Sequence, residues 1–185
     1  MIKESPGVLH IQDVEDLQEA RHRVAERVGP DGDHTAHWRR IVDDANVALC
    51  CDLLGVMEQA HHLAVEYAKV RVQFDRPIAT FQAIKHKAAE MLERIELSRV
   101  GVHYAAWASD VDDPVRAEAA AMAKSFVSTA AVYVTGEAIQ IHGGVGFTWE
   151  CDAHLHYRRA KGNDLLLGSA GTWRHQVADA YLATR

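Results

Sequence analysis

With 185 residues, 48% apolar and 25% charged, the chain can bury one core and has little material for a second full domain. Its formal charge of −6 is spread without a basic block, so the phosphate attraction that nucleic-acid binders rely on has no source. No apolar run reaches the ~20 residues of a bilayer-spanning helix, and the opening MIKESPG lacks a signal peptide's apolar stretch; no membrane contact and a cytoplasmic location are expected.

In chain order, LHIQDVEDLQEARHRVAERVGPDGD offers one short helical stretch near Val14 to Val24, followed by a Gly/Pro/Asp turn cluster. This reads as a lead-in segment over 1–36, with a helical domain over 37–185. Ile41, Ala45, Leu49, Leu53, Val56, Ala60, Leu63, Tyr67 and Val70 then recur at steps of three and four, which predicts one long helix. Pro77 interrupts it, because proline disfavours a helical residue before it and has no N–H for the ladder. After Thr80, a predicted N-cap, a second stripe runs through Phe81, Ile84, Ala88, Met91, Ile95, Ser98, Val102 and Ala105. DVDDP before Val115 combines acidic caps with a proline suited to a helix start, and an alanine-rich third helix should continue towards Ile141. A weaker fourth pattern spans Asp164 to Leu182, with Leu165, Leu166, Trp173, Val177 and Tyr181 as its expected buried side. No segment reads as an alternating strand. Long helices with short connections pack best antiparallel, so the expected fold is all-α, an up-down four-helix bundle. The three cysteines, Cys50, Cys51 and Cys151, are an odd set with two adjacent members, which argues for reduced side chains rather than a disulfide framework.

Three constellations bear on chemistry. The pairs His34/His37 and His154/His156 are close enough to suggest metal binding, and Glu58-x-x-His61 matches half of a di-iron helical motif. No second Glu-x-x-His accompanies it, and the expectation is no metal site. IQIHGGVGF places Gly143, Gly144 and Gly146 after a long helix, where glycine either lets a ligand approach the backbone or simply stops the helix. It follows no strand, unlike a Rossmann fingerprint. Arg71 and Gln73 bring planar donors to the turn around Pro77, a chemistry suited to phosphate or ribose oxygens; the bland alternative is a solvated turn.

Taken together, YAKVRVQFDRPIATFQAIKHKAAEM and, far downstream, AIQIHGGVGFTWECDAHLHYRRAK closely resemble the C-terminal helical domain of flavin-dependent acyl-CoA dehydrogenases. That family writes its first motif Tyr-x-x-x-Arg-x-Gln-Phe-Gly-x-Pro-Ile with a following Phe-Gln pair, and its second Gln-x-x-Gly-Gly-x-Gly. Here Arg71, Gln73, Phe74, Pro77, Ile78, Phe81, Gln82, Gln140, Gly143, Gly144 and Gly146 supply the matching residues, and the likeness runs from about Trp38 to the C-terminus. The resemblance implies FAD as cofactor and an acyl-CoA thioester as substrate. It implies that Arg71, Gln73, Phe74, Gln82, Gln140, Gly143 and Gly144 reach the pyrophosphate and adenine side of a partner subunit's FAD. A homo- or hetero-oligomer of such subunits is the implied assembly.

The sequence also departs from the family. Asp75 stands where the family has glycine. The family's catalytic carboxylate lies either before the last helix, where Leu167 or Ala170 stands here, or on the first long helix, where Ala45 stands. None of these accepts a proton. The next position, often an arginine in the family, is Asn46, and Asp44 is the nearest substitute acid. The family's N-terminal helical and middle β domains have no counterpart beyond a fragment in 1–36. Three readings follow. The leading one is a C-terminal-domain-only chain contributing to FAD binding and assembly without its own base. The others are an active fragment whose base is Asp44 or a partner's residue, and a non-enzymatic helical assembly module.

Overall fold

A computed structural model describes residues 33–183. The chain divides into two units, Met1–His34 and Thr35–Arg185, and the helices described below belong to the second. The expected lead-in over 1–36, with its helical stretch near Val14 to Val24, falls almost wholly outside the described residues.

Helix α1, Thr35–Val70, is 36 residues long, roughly 54 Å at 1.5 Å per residue. Its buried line runs through Cys50, Leu53, Met57, Ala60, Ala64 and Ala68. The predicted stripe is partly out of phase with this line: Leu53, Val56 and Ala60 are buried, but Ile41 and Val70 are exposed. The cause is packing on several sides, since α1 lies against both of the following long helices and against the next shorter one. Two-residue strands β1, Val72–Gln73, and β2, Arg76–Pro77, then form an antiparallel hairpin pairing Val72 with Pro77 and Gln73 with Arg76. No strand signal is legible in the sequence because two residues per strand are too few to show alternation.

A 3-10 turn over Ile78–Thr80 leads into α2, Gln82–Asp110. Thr80 is not its N-cap as predicted: its hydroxyl donates back to the Pro77 carbonyl at 2.7 Å, and Phe81 takes the cap position without a side-chain bond. The α2 stripe is otherwise as read, with Met91, Ile95, Ser98, Val102 and Ala105 all buried. Helix α3, Arg116–His142, is central and packs against every other helix. Its alanines let those neighbours approach closely, and its one fully buried lysine, Lys124, donates to the Asn163 carbonyl.

The fourth helix expected over Asp164 to Leu182 is α5, Ala170–Ala183, and the first residues of that span instead end a separate helix that was not expected, α4, Ala153–Leu165. The break between them contains Leu167 and Gly168, both at positive φ. Trp173 is buried as expected, whereas Leu165, Leu166 and Tyr181 are exposed. The described domain is thus an all-α bundle of five helices. Helices α1 and α3 pack directly against each other and run parallel, with α2 antiparallel to both: Arg116 at the start of α3 reaches Asp44 near the start of α1, and Tyr67 stacks on His142 near the ends of both. All three cysteines are free.

Candidate functional site

The hairpin after α1 is closed at its base by the Ile78 amide donating to the Arg71 carbonyl at 2.8 Å. Its two central residues, Phe74 and Asp75, have φ of 53° and 60°. Two-residue hairpin loops favour this conformation because its twist matches the strands, but it disfavours residues with a Cβ. Phe74 therefore holds a strained backbone while the residue stays 86% exposed. The ring meets Phe81 edge-on with centroids 6.1 Å apart, and the Arg76 guanidinium covers the Phe81 ring at 4.2 Å. Arg71 and Gln73 are exposed; the Gln73 amide donates to the Val72 carbonyl at 2.8 Å. Gln82 opens α2 and faces the His86 ring at 3.3 Å.

The glycine loop comes to the same end of the bundle, because the Tyr67–His142 stack, with centroids 4.5 Å apart, couples the last turns of α1 and α3. Ala64, Ala68, Ala79, Ile84 and Ile141 further enclose an apolar cavity of about 230 Å³ there. The His142 ring is fixed by a 2.7 Å bond between Nδ1 and the Ala138 carbonyl. The glycines differ in what their own fold asks of them. Gly143, at φ 64°, ends α3 in a conformation other residues avoid. A Cβ on Gly146 would lie 2.9 Å from the Ile139 carbonyl oxygen, so packing requires glycine. A Cβ on Gly144 would meet nothing within 4 Å, and Gln140 beside the loop is exposed.

The positions where the resemblance expects a base lie elsewhere. Ala45 precedes Tyr67 by 22 residues of α1, roughly 33 Å along the axis. Leu167 and Ala170 sit at the break between α4 and α5, where the Leu167 carbonyl accepts a 3.1 Å bond from the Trp173 indole. None of the three carries a titratable group. Asp44 does, but it is engaged: the Ser109 hydroxyl donates to it, and Arg116 Nη2 lies 3.2 Å away. The Ser109 bond, helped by Arg116, holds the Asp44 pKa below the usual carboxylate value. Asn46 is fully buried in the core.

Sequence reading passed over Asp43. It is 6% exposed, and burial pushes its carboxyl pKa up, with Asp44 adding to the shift and Arg116 and Arg39 opposing it. The available signal was its phase, since Asp43 shares a face with Asn46, Val47 and Cys50. Among the described residues no group of three or more metal-ligating side chains converges. Glu58 instead pairs with Arg99 at 2.6 Å, and the His61 ring faces the Ala88 carbonyl at 3.1 Å. No helix in these residues is long and apolar enough to cross a membrane.

Comparison with known proteins supplies a context for this geometry. Residues 38–182 match the family profile described as "Acyl-CoA dehydrogenase, C-terminal domain". Acyl-CoA dehydrogenase FadE34 of Mycobacterium tuberculosis is 44% identical over 139 residues, covering 75% of this chain and 20% of that protein. Acyl-CoA dehydrogenase IpdE2 of the same organism is 44% identical over 130 residues, 70% of this chain and 39% of that one. The solved butyryl-CoA dehydrogenase of Megasphaera elsdenii superposes with a TM-score of 0.78 at 34% identity, over 83% of this chain and 40% of its own. The chain spans about a fifth to two fifths of the length of these relatives.

Proposed function

The chain belongs to the acyl-CoA dehydrogenase family, as its C-terminal helical domain, and from that premise we propose that it completes the FAD site of another subunit in an FAD-dependent acyl-CoA dehydrogenase. The observation that carries this reading is the exposed set at one end of the bundle: a strained hairpin holds Phe74 in the open beside Arg71, and the Gln140–Gly144 loop shares that end. The residues fit the group. A guanidinium pairs two-pronged with a diphosphate, an uncovered aromatic ring offers a face to adenine, and the open space over Gly144 admits a nucleotide against the backbone. Gln73, Gln82 and Gln140 add amide donors, and Gly143 sets the course of the loop.

When bound, FAD accepts the hydride that leaves the β-carbon of the acyl thioester. This chain does not supply the base for the α-proton, because Ala45, Leu167 and Ala170 cannot take one and Asp44 is pinned in its ionised state by Ser109 and Arg116. The base and the rest of the pocket come from an acyl-CoA dehydrogenase-type partner. Assembly into a homo- or hetero-oligomer is further supported by the exposed apolar side chains of α2 and α3: Leu97, Tyr104, Met122 and Phe126 line a groove of about 310 Å³, and Val100 and Trp107 are also exposed on α2. The same side chains favour a second reading, in which the bundle serves assembly alone.

The test is flavin absorbance of the chain purified alone and with its neighbouring gene products. Alone, it should hold little or no FAD. In a complex it should hold FAD, and Arg71→Ala should weaken flavin binding about tenfold or more, the scale of a lost charge-assisted hydrogen bond, while the complex persists. A stoichiometric yellow chain without any partner overturns the shared-site reading, and a complex without flavin favours the assembly module. In a flavin-loaded complex, glutamate at Ala45 or Ala170 should raise electron-acceptor reduction, whereas Asp44→Asn should change little.

A further inference from the structure

The apolar cavity of about 230 Å³ near the end of α1 is lined mostly by small side chains. Ala64 and Ala68 of α1, Ala79 of the 3-10 turn and Ala88 of α2 each stop one carbon from the backbone, which leaves space where α1 and α2 face each other. Two bonds brace the helices on either side of that space. The His61 ring of α1 meets the Ala88 carbonyl of α2 at 3.1 Å, and the Ile78 amide donates to the Arg71 carbonyl at 2.8 Å. Apart from apolar groups, the lining contains only two lysines, Lys69 and Lys85, both exposed. Lys69 shares its charge with Glu66 at 2.5 Å, whereas the Lys85 ammonium has no partner among the described residues. Their long aliphatic stems cover the apolar rim and keep the charged ends in water.

We propose that this cavity binds a small amphipathic anion, a monocarboxylate with a short apolar tail, the tail lying between α1 and α2 and the carboxylate pairing with Lys85. The alanines, Val65, Ile84 and Ile141 take the tail out of water. Charge then selects the head group, because the lining carries two cations and no carboxylate. Size limits the tail: the space is smaller than the ~300 Å³ at which sites for drug-sized molecules begin. A purine is a poor match, since its ring nitrogens would leave water for a lining whose interior side chains are all apolar. The proposal does not rest on the flavin reading, although the cavity lies near the same end of the bundle.

The test uses the chain as it stands, with hexanoate, hexanol and hexylammonium as probes and the methyl resonances of Ile84 and Ile141 as the readout. Ile41 and Ile95, which do not line the cavity, are internal references. Hexanoate should shift Ile84 and Ile141 saturably and leave the references in place. It should bind about two- to fivefold more tightly than hexanol, the range of an exposed ion pair, and hexylammonium should bind most weakly. Lys85→Ala should erase the preference for hexanoate, and added salt should reduce it. Ala88→Leu fills the cavity and should abolish the shifts; should that variant fail to fold, Ala79→Val must weaken hexanoate. Absence of a saturable shift, equal affinity for hexanoate and hexanol, a preference that survives Lys85→Ala, or unchanged binding in a folded cavity-filling variant would each overturn the proposal. So would displacement of hexanoate by AMP, the adenylate half of FAD, because the cavity would then serve flavin recognition. The flavin content of a complex is read independently of these shifts, so either reading can fail alone.

Discussion

The two ends of the bundle use their polar groups in opposite ways. Where α1 begins, most charges are consumed internally, the buried Asp43 excepted: Asp44 is held by Ser109 and Arg116, Arg116 also reaches the Arg40 carbonyl at 3.3 Å, and Arg40 pairs with Asp112 at 2.8 Å. Where α1 ends, Arg71 and Gln140 stand exposed, Phe74 is almost bare, and the turn that presents it carries two positive φ values on residues with side chains. One end is built for the bundle's own cohesion. The other keeps a conformation that its own packing does not reward, as a surface does when its partner lies outside the chain.

The sharpest way to break this comparison is to remove one arginine from each end. Arg116→Ala should lower stability by about 2 kcal/mol, because Arg116 is largely buried and its loss removes its hydrogen bonds to the Asp44 carboxylate and the Arg40 carbonyl. Arg71→Ala should stay within about 0.5 kcal/mol of the native chain, as exposed substitutions generally do. Urea unfolding of both variants decides it, and similar losses would show that the hairpin end is structural after all.

The glycine loop allows a finer cut within one end. Gly146→Ala should cost about 2 kcal/mol, since its Cβ would press on the Ile139 carbonyl oxygen at 2.9 Å and on His142 Cβ at 3.0 Å. Gly144→Ala meets open space and should leave the unfolding midpoint nearly unchanged. Under the proposed function, the flavin content of the complex should respond to Gly144→Ala.

Much of the bundle was legible in the sequence where a helix buries a single narrow face. Helix α2 is the example: Met91 through Ala105 fell on the predicted stripe, including the polar Ser98. Helix α1 was harder, because neighbours on several sides broaden its buried arc, and small residues such as Ala64 and Ala68 carry the core in place of the larger Leu63 and Tyr67. Leu165 and Leu166 read as core for their hydrophobicity, yet Gly168 just after them marks a break that leaves both leucines on the surface. At the candidate site, the motifs located Arg71, Phe74 and Gln140 because their spacing is local. The choice between Asp43 and Asp44 depends on helix phase: adjacent residues lie 100° apart, and the face that Asp43 shares with Asn46, Val47 and Cys50 is a weak signal on a helix buried on several sides.

That pair gives a smaller, pH-dependent test. The folded pKa of Asp43 is raised above 3.8, so its contribution to stability is most favourable at low pH and is lost as pH rises through the folded value. The folded pKa of Asp44 is lowered from 3.8, so its contribution is present above that value and is lost as pH falls through the folded one. Asp43→Asn should therefore gain about 1 kcal/mol over the native chain near neutral pH by removing an unpartnered buried charge, and the gain should shrink as the solution is acidified. Asp44→Asn should lose stability near neutral pH, by less than about 1 kcal/mol because its pairing is half exposed, with the deficit closing below pH 3.8. Denaturation at a series of pH values checks both signs, and variants that shift in the same direction would refute the inward and outward assignment.

The smallest effect is expected at the hairpin tip. Asp75→Gly relieves a Cβ at φ 60° but gives glycine's extra freedom to the unfolded chain, and the two terms nearly cancel, leaving stability within about 0.5 kcal/mol. Binding should respond more clearly. A carboxylate about 7 Å from a diphosphate charge in water repels it by roughly 0.6 kcal/mol. Removing Asp75 should then tighten FAD in the assembled complex about two- to threefold at low salt, and the advantage should fade as added salt screens it. A flavin titration of native and Asp75→Gly complexes at low and high salt measures this directly. Equal affinities at low salt would mean that the Asp75 carboxylate lies well away from the phosphates, leaving the backbone turn as the tip's contribution.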